Sequence, residues 1–341
     1  MIKEAIGRLV KKQDLSREEA ASVMTEIMEG LASAAQLGAF LTALSMKGET
    51  GDEIAGLAEV MRAKALRVIT DGPALDIVGT GGDGLNTFNI STAAALVAAS
   101  AGVKIAKHGN RAATGKCGSA DVLEALGVKI DLTPEQVAVC IKQTGIGFMF
   151  APNFHPAMKY AAGPRRETGI RTVFNILGPL TNPARVEYQV LGVPGLELAE
   201  KMTAALIQLG MRHAIVVHGL NGIDEVSVTG TTVYYEIKTQ QVNKGEITPE
   251  RLGMKRWPIE SIQGGTPEEN AELIRRVFQG TKGPHRDAVI LNAACGLLAA
   301  EKVASWEDGA TMAGEAIDSG KASQKLQQMV EYTRNLIVGV R

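Results

Sequence analysis

From about residue 74 onward the short β-rich runs LDIV, VKIAKHG, IGFMF, VEYQVLGV and HAIVVHG alternate with the helical stretches STAAALVAASAG, SADVLEALG, TPEQVAVCIKQTG and ELAEKMTAALIQLG. Alternation of this kind predicts a largely parallel sheet covered by helices. Residues 1–66 read as helices only, because capping-box pairs recur ahead of apolar segments: Ser16 with Glu19, Ser33 with Gln36, and Thr50 with Glu53. The fold class is therefore α/β, with a small all-helical domain over 1–70 and a large α/β domain with a mostly parallel central sheet over 71–341. The segment 155–178 carries two helical patterns in a row, interrupts the alternation, and is placed spatially with the N-terminal helices. After Gly230 the run TTVYYEIKTQQVNKGEITPERL is β-branched and aromatic without a helical period, and from Pro267 the chain returns to helices. Leu37, Phe40, Leu41 and Leu44 have core-like spacing, for which intrachain packing is the first explanation and a subunit interface the second.

Composition narrows the function. A chain of 341 residues with 45% hydrophobic content buries a sizeable core. Its 36 basic and 37 acidic residues create no global field for nucleic acid or an anionic membrane, so neither is expected as a partner. Cys117, Cys140 and Cys295 have no C-x-x-C spacing, which suits reduced thiols in a cytoplasmic protein. The opening MIKEAIGRLVKKQD lacks the apolar core of a signal peptide, and the most apolar run, AAALVAASAGVKIA, is too short to span a bilayer.

DIVGTGGDGLNTFNIST, residues 76–92, contains G-x-G-x-x-G, the dinucleotide pattern. The context fails. A dinucleotide loop opens a helix directly, whereas five residues separate Gly84 from Ile90, and the natural helix cap is Ser91 or its neighbour in NIST. Where a ribose-binding acid is needed, the second strand supplies Lys104, Lys107 and Arg111. GNRAATGK resembles a Walker loop, but it has five residues between glycines and Cys117 in place of the metal-binding hydroxyl. What survives is a composite anion site of glycine amides at 79–84, polar groups at Thr87, Asn89, Ser91 and Thr92, and cations from the next strand. Such a site suits a ligand with phosphate at one end and pyrophosphate at the other.

Three further constellations stand out. Residues 107–127 combine Lys107, His108, Asn110, Arg111, Lys116 and Ser119 in a glycine-punctuated loop, with Ser119 placed to cap the following helix. Residues 155–172 carry Arg165, Arg166 and Arg171 beside Phe154, His155, Met158 and Tyr160. That set can fork a carboxylate and flank a flat ring, although pairing with Glu167 is the simpler reading of the arginines alone. In HGLNGIDEVSVTG, Asp224 and Glu225 suit magnesium beside a pyrophosphate, and no zinc-type spacing occurs.

Taken in order, VGTGGDG, TFNIST, KHGNRA, GSADVLEALG, FNILGPLTNP and GIDEVS resemble the anthranilate phosphoribosyltransferase family over almost the whole chain. The resemblance implies transfer of the phosphoribosyl group of phosphoribosyl pyrophosphate (PRPP) to the amino group of anthranilate, with Mg2+, in tryptophan biosynthesis. It also implies a homodimer formed through the helical domain, to which about 165–185 contributes. By motif it assigns to PRPP Gly79, Gly82, Asp83, Thr87, Asn89, Ile90, Ser91 and Thr92, then Lys107, His108, Gly109, Asn110, Arg111, Ala112, Ala113, Thr114, Gly115 and Ser119. It assigns Gly79, Asn110 and Arg165 to anthranilate and Ser91, Asp224 and Glu225 to the metal. No acid–base residue is implied; positioning and electrostatics carry the reaction. Ala113, Thr114 and the pair Gly163–Pro164 depart from the family's common residues. The rival expectations are a pyrimidine nucleoside phosphorylase and a nucleic-acid-binding relative without transferase activity.

Overall fold

The computed structural model describes residues 1–112 and 115–336. Four helices open the chain: α1 (Ile2–Leu9), α2 (Arg17–Met28), α3 (Ala34–Lys47) and α4 (Gly51–Lys64). Ser16, Ser33 and Thr50 cap α2, α3 and α4 in reciprocal capping boxes with Glu19, Gln36 and Glu53, as the sequence predicts. Glu53 does more than cap. Fully buried, its carboxylate accepts from the Leu15 amide at 2.9 Å and from Lys47 Nζ at 2.9 Å, so a cationic partner offsets its desolvation. Helices α2 and α4 cross at Gly56, where a Cβ would lie 2.2 Å from the Arg17 carbonyl oxygen.

The α/β body follows as β1 (Leu75–Gly79), α5 (Ile90–Ser100), β2 (Ile105–Gly109), α6 (Ser119–Leu126), α7 (Pro134–Thr144) and β3 (Ile146–Phe150). Then come α8 (Ala151–Phe154), α9 (Lys159–Thr168), α10 (Phe174–Leu177), β4 (Tyr188–Gly192), α11 (Leu196–Gln208) and β5 (His213–Gly219). Strands β6 (Thr232–Lys238) and β7 (Gln241–Ile247) precede α12 (Pro267–Phe278), α13 (Pro284–Ala299), α14 (Trp306–Asp318) and α15 (Lys321–Asn335). The seven strands lie in the order β3-β2-β1-β4-β5-β6-β7; β1 to β5 are parallel, and the β6–β7 hairpin adds two antiparallel strands at one edge. Thr239 and Gln240 make its tight turn, both with positive φ, which explains the aperiodic sequence after Gly230.

Period-two alternation divides the strand residues between two apolar layers. Leu75, Ile77 and Val190 join the layer that includes α5 and α13, while Leu191, Val216 and Ile237 join the layer that includes α11 and the N-terminal helices. Leu37, Phe40, Leu41 and Leu44 are buried in that second layer, so intrachain packing covers them. Helix α9 packs against α2 and α3, with Thr168 3.7 Å from the Cβ position of Gly38, which places the 155–178 interruption with the N-terminal helices. Among the described residues no helix is long and apolar enough to cross a membrane.

Candidate active site

The strand order reverses between β1 and β4, since β2 and β3 build outward on one side and β5 on the other. In open α/β sheets, crevices at the carboxyl ends of such strands bind ligands. Here β1 and β4 end at Gly79 and Gly192, partners in register, and Asp224 lies across both. A Cβ on Gly79 would stand 2.3 Å from Asp224 Oδ2, and one on Gly192 would stand 1.6 Å from the Asp224 carbonyl oxygen. The Gly81 amide donates to Asp224 Oδ2 at 2.7 Å, fixing the acid above the crevice floor.

The loop after β1 is long because it pairs with a distant segment. Thr87 forms an antiparallel bridge with Gln263, the Phe88 amide donates to the Ile262 carbonyl at 3.1 Å, and Gly264 N donates to Asn86 O at 2.8 Å. Helix α5 then starts at Ile90 with Asn89, not Ser91, as its cap residue. The Asn89 side chain does not cap, because it is engaged elsewhere: Nδ2 donates to the Cys117 carbonyl at 3.2 Å and Oδ1 accepts from Asn270 Nδ2 at 2.9 Å. The Cys117 thiol, pushed up to about 11 by burial, also donates to Oδ1 at 3.3 Å. Ser91 instead sits in the first turn. Its Oγ lies 3.4 Å from Lys107 Nζ. Ile90 and Thr92 are buried; Ile90 belongs to the core, and Thr92 Oγ1 has no partner among the described residues.

Strand β2 delivers Lys107 and His108 into the same region. Lys107 is buried, and Nζ donates to the Ile77 carbonyl at 2.5 Å. Burial pulls its ammonium below the usual lysine range, while Asp76 and Glu225 oppose that shift. Burial, reinforced by His155, pushes His108 down to about 3, so the ring is neutral; Nδ1 lies 3.3 Å from the Gly178 carbonyl and Nε2 has no partner among the described residues. A side chain on Gly109 would strike Ser119 Oγ at 2.1 Å. Gly118, not Ser119, is the cap residue of α6, because Asp121 takes the capping work by accepting from Gly118 N at 2.8 Å and Ala112 N at 3.0 Å. Ser119 Oγ lies 3.3 Å from the Asn110 carbonyl and ties the two ends of the loop. Arg111 turns outward onto Asp121 and Glu124, at 2.9 and 2.5 Å. Gly115 and Lys116 are exposed, and Ala113 and Thr114 lie outside the described residues.

The acids carry the strongest electrostatic signature. Burial, then the like charge of Asp83, raises Asp224 above the usual carboxylate range. Glu225 is half-buried as a residue, yet burial of its carboxyl, then the neighbouring Asp224, raises it well above the usual carboxylate range. Asp83 Oδ2 is buried without a partner among the described residues. Three carboxyl groups thus crowd a site where Lys107 is the cation felt by Glu225, which is an environment that a divalent cation relieves. Among the described residues no three His, Cys, Asp or Glu side chains close a metal cage. Magnesium takes one or two carboxylates and fills the rest of its shell with water and phosphate oxygens, and Asp224 and Glu225 are the adjacent pair present.

Arg165 lies in the last turn of α9, half-buried, with its guanidinium 5.0 Å from the centre of the Phe174 ring. Burial lowers its pKa. The simpler reading of the three arginines is not realised, since none of them pairs with Glu167 among the described residues. Arg171 departs furthest, reaching back to the glycine loop, where it donates to Gly81 O at 3.0 Å and Gly82 O at 3.4 Å. Arg171, grouped in the sequence with a carboxylate fork, holds the glycine loop instead, whereas Asn270, the 262–264 segment and Gly192 are parts of the site for which sequence reading made no assignment. The only local signal among them was the glycine that ends VEYQVLG, matching those that end the other crevice strands.

The chain matches the glycosyl transferase family a/b domain over residues 71–323 and the glycosyl transferase family helical bundle domain over residues 3–65. It is 56% identical to the anthranilate phosphoribosyltransferase of Dehalococcoides mccartyi, over 99% of this chain and 100% of that one. The crystal structure of the enzyme of that name from Thermus thermophilus superposes with a TM-score of 0.92 at 46% identity, covering 97% of this chain and 99% of that one. The Saccharomyces cerevisiae enzyme in complex with PRPP and Mg gives a TM-score of 0.89 at 28% identity, covering 98% of both. With the glycine-floored crevice and its buried acids in place, these likenesses over the full length settle the kinship: the chain belongs to the anthranilate phosphoribosyltransferase family.

Proposed function

We propose that this chain transfers the 5-phosphoribosyl group of PRPP to the amino group of anthranilate, releasing pyrophosphate, as a magnesium-dependent step of L-tryptophan biosynthesis. The observation that carries this reading is the crevice at the β1–β4 reversal, floored by Gly79 and Gly192 and spanned by Asp224. In it, Gly79, Gly82, Asp83, Thr87 and Asn89 to Thr92 line one side of PRPP. Lys107 to Ala112, with Gly115 and Ser119, line the other. Ser91, Asp224 and Glu225 hold magnesium, which neutralises charge on the pyrophosphate. Gly79, Asn110 and Arg165 receive anthranilate, whose carboxylate faces the half-buried guanidinium.

The aromatic amine is neutral and nucleophilic at pH 7, so no base has to create it, and the proton its nitrogen sheds once the bond to C1 has formed passes to solvent. As the bond from C1 to pyrophosphate breaks, the ribose gains oxocarbenium character and negative charge gathers on the departing group. The loop amides of Gly82 and Asp83, which have no acceptor among the described residues, and the start of α5 face that charge without reorganising, and Lys107 adds a buried cation beside Ser91. Arg165 orients the acceptor. Holding both reactants in line contributes up to about 7–11 kcal/mol in ideal cases.

Mixing the protein with PRPP, Mg2+ and anthranilate should give a PRPP-dependent loss of anthranilate fluorescence; its absence overturns the reading. In the same assay Arg165→Ala should raise the anthranilate KM about 10- to 100-fold, the worth of a charge-assisted hydrogen bond, with a smaller change for PRPP. We place the enzyme in the cytoplasm, supported by three free cysteines, and assign it as a homodimer through the helical domain, divided from the α/β domain near residue 70. Exposed Met1, Val10, Leu31 and Met46 on the helical unit support that interface. Light scattering should therefore give twice the chain mass of 36.0 kDa, and a monomer would remove the dimer.

A further inference from the structure

We infer that Arg171 is a positioning residue that aims the amides of the glycine loop at PRPP and joins that loop to the segment carrying Arg165. The inference rests on the PRPP reading of the crevice. Arg171 lies 89 and 90 residues from its two acceptors, the carbonyls of Gly82 and Gly81, at 3.4 and 3.0 Å. Its own carbonyl accepts from Ser45 Oγ of α3 at 3.2 Å. One residue therefore ties the helical unit, the connection from α9 to α10, and the loop after β1.

The orientation follows from peptide geometry. In a trans peptide the C=O and the next N–H point in opposite directions. Fixing the carbonyls of Gly81 and Gly82 on Arg171 turns the N–H groups of Gly82 and Asp83 away from it. Among the described residues neither amide has another acceptor, whereas the Gly81 amide is already committed to Asp224. Successive amides left facing one way form a concavity that binds anions. The glycines fit this device: Gly81 and Gly82 have φ of +68° and +82°, and a Cβ on Gly82 would stand 1.6 Å from Arg171 Nη1. A planar fork presents two donors at a fixed spacing to the neighbouring carbonyls, whereas a lysine ammonium is a point donor on a flexible stem, so lysine is only a partial substitute. Arg171 also follows Arg165 by six residues, so the two substrate sites share one length of backbone.

The test is titration calorimetry of the full-length protein with PRPP and Mg2+, combined with steady-state kinetics, for wild type, Arg171→Ala, Arg171→Gln and Arg171→Lys. The expected result is a PRPP Kd raised about 10- to 100-fold in the alanine variant, a smaller rise with lysine, and an anthranilate KM within about twofold of wild type. Added ethylguanidinium should restore part of the alanine variant's PRPP affinity. If the alanine variant does not fold, judged by circular dichroism, the lysine and glutamine variants carry the comparison. An unchanged PRPP Kd, an equal loss for both substrates, or lysine no better than alanine overturns the role of Arg171. A wild-type protein that does not bind PRPP overturns the functional reading instead.

Discussion

Replacing Asp224 and Glu225 together by alanine is expected to lower turnover at least about 1,000-fold at fixed magnesium, while the substrate-free protein unfolds no more easily than before. The first part follows from the size of transition-state charge stabilisation: about 100- to 1,000-fold for one hydrogen-bond donor, and several kcal/mol for a metal ion. The second follows from burial. Both carboxyls are raised above their ordinary range by desolvation first and by a neighbouring acid second, so each costs the empty fold stability. For such groups the sign is opposite to that of a salt-bridged acid: ionising them as pH rises weakens the substrate-free fold. Lys107 keeps Asp76 as its remaining acidic neighbour when Glu225 is gone. Turnover and thermal unfolding measured on the same preparation decide the matter. Unchanged turnover sinks the metal assignment, and a large drop in unfolding temperature would trace the loss to the fold.

Gly192→Ala is the second substitution of large effect. The added methyl would meet the Asp224 carbonyl oxygen at 1.6 Å and its carbon at 2.5 Å, so the backbone at Asp224 has to move. Overpacking of this kind costs about 1–3 kcal/mol, and displacing a reacting group by 1 Å can cost about 100-fold in rate. Activity should therefore fall about 100-fold or more, alongside a lower denaturant midpoint. Gly230→Ala is the control, because nothing lies within 4 Å of its Cβ position. If Gly192→Ala retains wild-type rates, Asp224 is not held where the crevice requires it.

Much of this architecture was legible because it is written locally. Capping boxes at Ser16, Ser33 and Thr50 need only residues three positions apart, and the strands of the body announce themselves as short apolar runs between helices. The motif residues around 79–92 and 107–119 are likewise short contiguous runs that can be read without knowing the fold. The cap expected at Ser119 falls one residue earlier, because Asp121, three residues on, holds the Gly118 amide in a loop with no room for a Cβ, and within NIST the cap residue is Asn89, whose side chain is drawn off by Asn270, 181 residues away. Arg171 shows the same limit, since nothing near it in sequence points to Gly81. Nor does any local pattern reveal the buried polar layer under the crevice. There Asn182 Nδ2 bonds both Asp76 and the Ala106 carbonyl at 2.8 Å, and desolvation holds Asp76 up at about 6.

The apolar layer that joins Leu9, Phe40 and Leu57 to Leu191 and Val216 leaves the helical unit and the sheet without private cores on that side. Stripping the helices away would bare one whole face of the strands, and the helices alone would have nothing to cover their own apolar stripe. Heat should therefore take both bodies apart in one cooperative transition, with a single calorimetric peak. Sequence insertions would be tolerated in the exposed 69–73 connection without uncoupling the two, because the coupling resides in packed side chains and not in the covalent link.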